Sequence, residues 1–152
     1  EAYKIKCYIF RFVSILGPRY SHGHVIDFFK NLKKNNKKLN ILGDGNQKKS
    51  YLHIYDCLSA IFKVLKYKSN KLVNIYNLGN KNYITVKQSI RIIINELNYN
   101  PILKFQKNKR GWIGDVPFIL LDTKKIRKLG WKNKYSIKES IIHTLQYLKN
   151  EK

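Results

Sequence analysis

The chain has 152 residues, 43% hydrophobic and 13% aromatic, enough for one compact unit with an apolar core, too short for two comfortable domains and unlike a disordered segment. No apolar run approaches a membrane span, and Cys7 and Cys57 have neither CxxC nor Cys/His metal spacing, so a transmembrane segment, a disulfide framework and a zinc site are all excluded. The formal net charge of +22 raises nucleic acid as a partner, but the lysines are dispersed and no aromatic ladder interleaves with arginine; 26 Lys, 20 Ile, 16 Asn and 11 Tyr make up nearly half the chain, an AT-rich codon bias that supplies much of the charge. Ile5 to Phe12 reads as a buried strand ending near Gly17-Pro18, and Val25, Phe28, Phe29 and Leu32 mark one face of a helix that dies in the polar Lys33 to Lys38 stretch. Leu39 to Leu42 is a short strand closed by Gly43-Asp44-Gly45, and Ser50 to Ile54 is another. Asp56 is placed to cap a helix with the inward face Leu58, Ile61, Phe62 and Leu65; Leu72 to Leu78 follows as a strand.

Thr85 and Gln88 form a capping box for a helix turning Val86, Ile90, Ile94 and Leu97 inward. Ile102 to Phe105 and Phe118 to Leu121 read as strands either side of a polar, Gly-rich loop. Asp122 caps a short helix ending at Leu129-Gly130-Trp131, with Trp131 closing the core beneath the last helix. That helix has its own box, Ser136 and Glu139, and the stripe Ile137, Ile141, Leu145 and Leu148. Strand-like and helix-like periods alternate throughout, the pattern of an α/β layered fold.

No catalytic constellation is complete: GxGxxG, a Walker loop, GxSxG and HExxH are all absent. Polar residues at strand ends remain, where open α/β sheets bind ligands because backbone amides are free there. Four blocks then take on a shared look: Arg11-Phe12-Val13-Ser14-Ile15-Leu16-Gly17-Pro18-Arg19; Leu42-Gly43-Asp44-Gly45-Asn46-Gln47 running on through Lys49-Ser50-Tyr51-Leu52-His53 to Asp56; Arg110-Gly111-Trp112-Ile113-Gly114-Asp115; and Leu121-Asp122-Thr123-Lys124 through Leu129-Gly130-Trp131. In that order they resemble the RxxNxxGPR, GDGxQxRDYxHVxD, RxGD and DxxKxxxLGW blocks of the extended short-chain dehydrogenases, the NAD-dependent nucleotide-sugar epimerases and dehydratases, UDP-glucose 4-epimerase-like enzymes in particular.

The resemblance implies that residues 1–152 are the C-terminal, substrate-binding part of such an enzyme: the end of a Rossmann-like sheet with a small α/β lobe. The Gly-rich NAD loop and the Tyr-x-x-x-Lys pair would lie on polypeptide preceding Glu1, so the chain alone would be inactive and holds no catalytic residue. Carried over by position, Phe12 and Val13 line the nicotinamide side of the cleft, or are plain core. Ser14 stands where the family has an asparagine on the sugar diphosphate and offers a shorter hydroxyl. His24 and Val25 open a helix whose amides meet the nucleotide, or simply start a helix. Lys49 replaces an arginine on the diphosphate, giving a point charge without the bidentate fork, and Tyr51 packs on the uracil or fills a strand face. Arg110, one of five arginines, would grip phosphate or ribose, with Asp115 bonding a ribose hydroxyl or holding Arg110; two extra residues separate this pair from the commoner spacing, and a surface turn is the bland alternative. His53 and Asp56 read as structural, the histidine bonding within the sheet. The expected ligands are NAD and a UDP-sugar, in a cytoplasmic, reducing setting, with a homodimer for the full-length enzyme, no metal, no membrane and no dedicated nucleic-acid role. A dehydratase of the same family and a stand-alone basic nucleotide- or nucleic-acid-binding module are the rivals.

Overall fold

The computed structural model describes residues 3–109, 111, 114, 116 and 118–151. Its elements run β1 (Cys7–Phe12), β2 (Ser14–Leu16), α1 (His24–Lys34), β3 (Lys38–Ile41), β4 (Lys48–Lys49), β5 (Tyr51–His53), α2 (Ile54–Lys66), β6 (Val73–Leu78), β7 (Ile84–Thr85), α3 (Val86–Leu97), β8 (Ile102–Phe105), α4 (Lys124–Lys128) and α5 (Ile137–Asn150). β1 pairs with β6, β2 with β5 and β3 with β8, all parallel, while β4 and β7 pair antiparallel. Parallel neighbours need long crossovers, and the intervening helices supply them, giving the expected α/β architecture.

The helices start where their side chains satisfy the first free amides. Both capping boxes form: Thr85 and Gln88 bond reciprocally at the start of α3, and Ser136 and Glu139 at the start of α5. In α1, Val25, Ile26, Phe28, Phe29 and Leu32 make one buried face. The β2/β5 pair is the wall between two apolar clusters, because alternate strand residues point to opposite sides. Leu16 and Tyr51 face a cluster built by α1, α3 and α5; Val13 and Leu52 face one built by α2, α4, β6 and Trp131.

Several sequence expectations are corrected here. α2 buries Asp56, Cys57, Ala60 and Val64, while Leu58, Phe62 and Leu65 of the expected inward face are exposed, Phe62 by 59%. Small side chains bring the helix close onto Leu52, Tyr76 and Leu78, leaving the bulky stripe outside. Asp56 does not cap α2: its carboxylate accepts from Lys134 N at 2.8 Å and Tyr135 N at 3.0 Å, tying down the segment before α5. His53 is the cap instead, its Nδ1 accepting from Tyr55 N at 3.2 Å, and its ring bonds outside the sheet, to His143. Trp131 packs under α2 rather than α5, its indole donating to Ser59 Oγ at 2.9 Å. Phe118 makes one isolated bridge to Lys48, and no strand forms at 118–121. Asp122 accepts from Lys124 N at 2.8 Å, as a residue just ahead of α4 can.

α5 is locked to the β-wall by neighbouring residues. Thr144 Oγ1 accepts from Gly17 N at 2.8 Å and donates to Ser140 O at 2.7 Å. His53 Nε2 lies 3.0 Å from His143 Nδ1, and Tyr135 stacks on His53 at 3.9 Å between ring centroids. In the β1/β6 pair the inner face carries Tyr8, Phe10 and Tyr76, packed on the second cluster. Its other face, with Ile9 beside Ile75 and Val73 beside Cys7, is exposed.

Candidate functional site

A cavity of about 460 Å³ lies where the start of β2, the mouth of α1, the β4–β5 segment and residues Gly111, Gly114 and Val116 converge. Ser14, His24, Lys49 and Tyr51 all line it, so four residues singled out at separate stretches between 14 and 51 meet at one place. Gly111, Gly114 and Val116 of the Gly-rich loop line it too; Arg110 and Asp115 lie outside the described residues. Val25 does not line it: its side chain is fully buried in the core, leaving only its backbone at the helix mouth. Phe12, exposed at the end of β1, and Val13, buried in the second cluster, lie away from this cavity.

The mouth of α1 is built by Gly23 and Tyr20. Gly23 is the N-cap at φ 104°, and no side chain caps the helix. A Cβ at Gly23 would collide with the Tyr20 hydroxyl, and the left-handed φ itself favours glycine. Burial pushes the Tyr20 phenol up to about 12, Asp27 adding to the effect and a hydrogen bond with the Val25 backbone opposing it. Tyr20 therefore stays a neutral hydroxyl beside the cavity.

Tyr51 is 3% exposed, held by the β2/β5 register opposite Ser14. Its Oη lies 2.7 Å from His24 Nδ1, and His24 Nε2 lies 2.8 Å from Ser89 Oγ, a hydroxyl fully buried on α3. The Phe28 ring meets His24 edge-on at 5.4 Å. Lys49 sits opposite Ile84 in the β4/β7 pair and donates to Val116 O at 3.0 Å, which brings a cation to the cavity wall beside the Gly-rich turn. Gln47, 5% exposed, also lines the cavity; its Nε2 donates to Leu42 O at 3.4 Å.

This arrangement can bind an anion through Lys49, hydroxyls and the α1 amides. Sequence reasoning did not single out Tyr20 or Ser89. Ser89 carried a usable signal, being a polar residue on the apolar stripe Val86, Ile90 and Ile93. Tyr20 gave none, since its role depends on the turn before α1.

The sequence profile described as the NAD dependent epimerase/dehydratase family matches residues 1–79. A provisionally named UDP-glucose 4-epimerase of Methanocaldococcus jannaschii is 30% identical over 97% of this chain and 47% of its own length. The human dTDP-D-glucose 4,6-dehydratase is 29% identical over 97% of this chain and 43% of its own. Among solved structures, a UDP-galactose 4-epimerase superposes with a TM-score of 0.83 at 27% identity, over 95% of this chain and 46% of that one. The chain spans about half the length of the curated relatives it matches.

Proposed function

The chain belongs to the NAD dependent epimerase/dehydratase family, and on that premise we propose that it is the substrate-binding part of a nucleotide-sugar epimerase of the UDP-glucose 4-epimerase kind. The observation that carries this reading is the convergence of Ser14, His24, Lys49 and Tyr51 on one 460 Å³ cavity. In this role Lys49 neutralises the diphosphate as a point charge, the α1 mouth offers backbone amides to it, and Ser14 and Tyr51 supply hydroxyls. Arg110 and Asp115 serve the same ligand, on phosphate and ribose.

The residues present do not make a dinucleotide cradle. The glycines between β2 and α1, Gly17 and Gly23, are too widely spaced for the GxGxxG fingerprint, and no such run occurs elsewhere in the sequence. In the proposed reading NAD and the Tyr/Lys pair belong to polypeptide outside these 152 residues, and Phe12 and Val13 offer NAD one wall at most. The β1/β6 pair supports this division of labour: parallel sheets are ordinarily covered on both faces, and one face of this pair is bare and apolar. The bulky stripe Leu58, Phe62 and Leu65 on α2 is a second surface suited to a companion segment.

A dehydratase reading draws on the 29% identity to the human dTDP-D-glucose 4,6-dehydratase. The two readings share the grip on the diphosphate and part at the nucleobase and the chemistry. Thermal shift with UDP-glucose, dTDP-glucose and single-stranded DNA separates them. Saturating UDP-glucose at 100 times its Kd should stabilise the protein by about 2.7 kcal/mol, and Lys49→Ala should weaken binding by roughly tenfold. A stronger response to dTDP-glucose favours the dehydratase; salt-sensitive stabilisation by DNA with no nucleotide effect overturns both.

A further inference from the structure

Val116, Phe118, Ile119 and Leu120 are all at least 40% exposed, yet Val116 and Ile119 line the cavity. Residues 118–121 form no strand, and the ladder contact they make is the isolated bridge between Phe118 and Lys48. A segment with so little buried apolar surface frays from the wall it makes unless side chains hold it. A three-part contact on the rim of the β4/β7 pair does so. The Phe118 ring meets Tyr83 edge-on, with centroids 5.3 Å apart at 81°. Lys48 Nζ lies 4.9 Å from the Tyr83 centroid and 5.8 Å from that of Phe118, within cation–π range of both. Tyr83 immediately precedes Ile84, the residue opposite Lys49, so the two strands of the ribbon deliver the ring and the lysine. Successive strand residues face opposite sides, and these two lysines divide the work: Lys49 lines the cavity and donates to Val116 O at 3.0 Å, while exposed Lys48 grips Phe118 at the rim.

We propose that Lys48, Tyr83 and Phe118 are a clamp that holds Val116 and Ile119 in place as one wall of the cavity, and so sets how tightly the cavity takes its ligand. That the ligand is a nucleotide sugar rests on the reading above; the clamp itself does not. None of the three residues lines the cavity, so all are positioning residues. The lysine is shared by two rings, and loss of either ring loosens its hold on the other. Because Lys49 bonds the Val116 carbonyl, a shift of the segment also reaches the cation proposed for the diphosphate.

Backbone nitrogen-15 order parameters of Ile119 and Leu120 read the clamp without ligand, and UDP-glucose titration reads its effect on the cavity. The wild-type values should lie near about 0.85, and Tyr83→Ala, Phe118→Ala and Lys48→Gln should each lower them below about 0.6. The same variants should weaken UDP-glucose binding by roughly threefold, the factor one exposed cation–π contact corresponds to, with the melting temperature nearly unchanged because all three side chains are exposed. Tyr83→Phe and Lys48→Arg should keep wild-type order and affinity, since ring face and charge survive. The Lys48→Gln, Tyr83→Ala pair should bind about as well as one single variant, whereas independent effects would multiply to roughly ninefold. Order lost in the truncations of a protein that shows no UDP-glucose binding sinks the nucleotide reading and upholds the clamp. Order parameters already low in the wild type or unmoved by all three truncations, multiplying effects in the pair, or an equal loss of affinity in Lys48→Arg and Tyr83→Phe, overturn the clamp.

Discussion

Two histidines, each at a helix start beside a strand of the same wall, meet different kinds of partner. His24 meets two hydroxyls, those of Tyr51 and Ser89, among its partners. His53 meets a backbone N–H, which only donates, and His143. Because Tyr55 N–H occupies Nδ1, the proton of a neutral His53 must sit on Nε2 and point at His143 Nδ1. Burial lowers the His53 pKa, His143 adds to the effect and Asp56 opposes it. The same residue type is thus a link between hydroxyls at the cavity and a proton-intolerant lock in the core.

Truncating the lock should do the most damage. His53→Ala removes a fully buried ring, the α2 cap and the tie to α5, and should cost about 3 kcal/mol in urea unfolding; a loss near zero would break the comparison. At the cavity, Gly23→Ala forces a side chain into a left-handed cap against Tyr20, at about 2 kcal/mol, and should lower UDP-glucose affinity as well. Acid should weaken the lock. With the folded-state His53 pKa below its unfolded value, the unfolded chain takes up the proton first, so stability is complete above about pH 6.5 and falls as the pH drops toward the folded value. Melting curves from pH 8 to 5 should show that decline, reduced in His53→Gln. Smallest is the stability cost of His24→Gln itself, about 1 kcal/mol or less by the same urea assay, since the amide can still bond one hydroxyl.

What the sequence made legible was whatever depends on near neighbours. The boxes at Thr85/Gln88 and Ser136/Glu139 formed as read because both partners lie within one turn. The stripe of α5, Ile137, Ile141, Leu145 and Leu148, was buried as read because those four residues repeat at helical spacing on one face. α2 misled because it is apolar on more than one side; hydrophobicity selected the large residues, while packing distance selected Cys57, Ala60 and Val64. Asp56 stood at a helix start but found better donors in Lys134 and Tyr135, 78 and 79 residues away, a pairing no local pattern encodes. Within the site, Ser14, His24, Lys49 and Tyr51 were found by position in motif-like blocks, and their neighbours Tyr20 and Ser89 were supplied only by tertiary packing.

The uncovered side of the β1/β6 ribbon has a consequence for how copies of this polypeptide behave toward each other. Ile9, Val73 and Ile75 on an unsheathed ribbon invite edge-on and face-on self-association, and a net charge of +22 opposes it by mutual repulsion. Added salt shortens the reach of that repulsion to about 3 Å at 1 M while leaving the aliphatic attraction intact. Light scattering by a concentrated solution should therefore climb with ionic strength, and an Ile9→Lys, Ile75→Lys pair should hold it down.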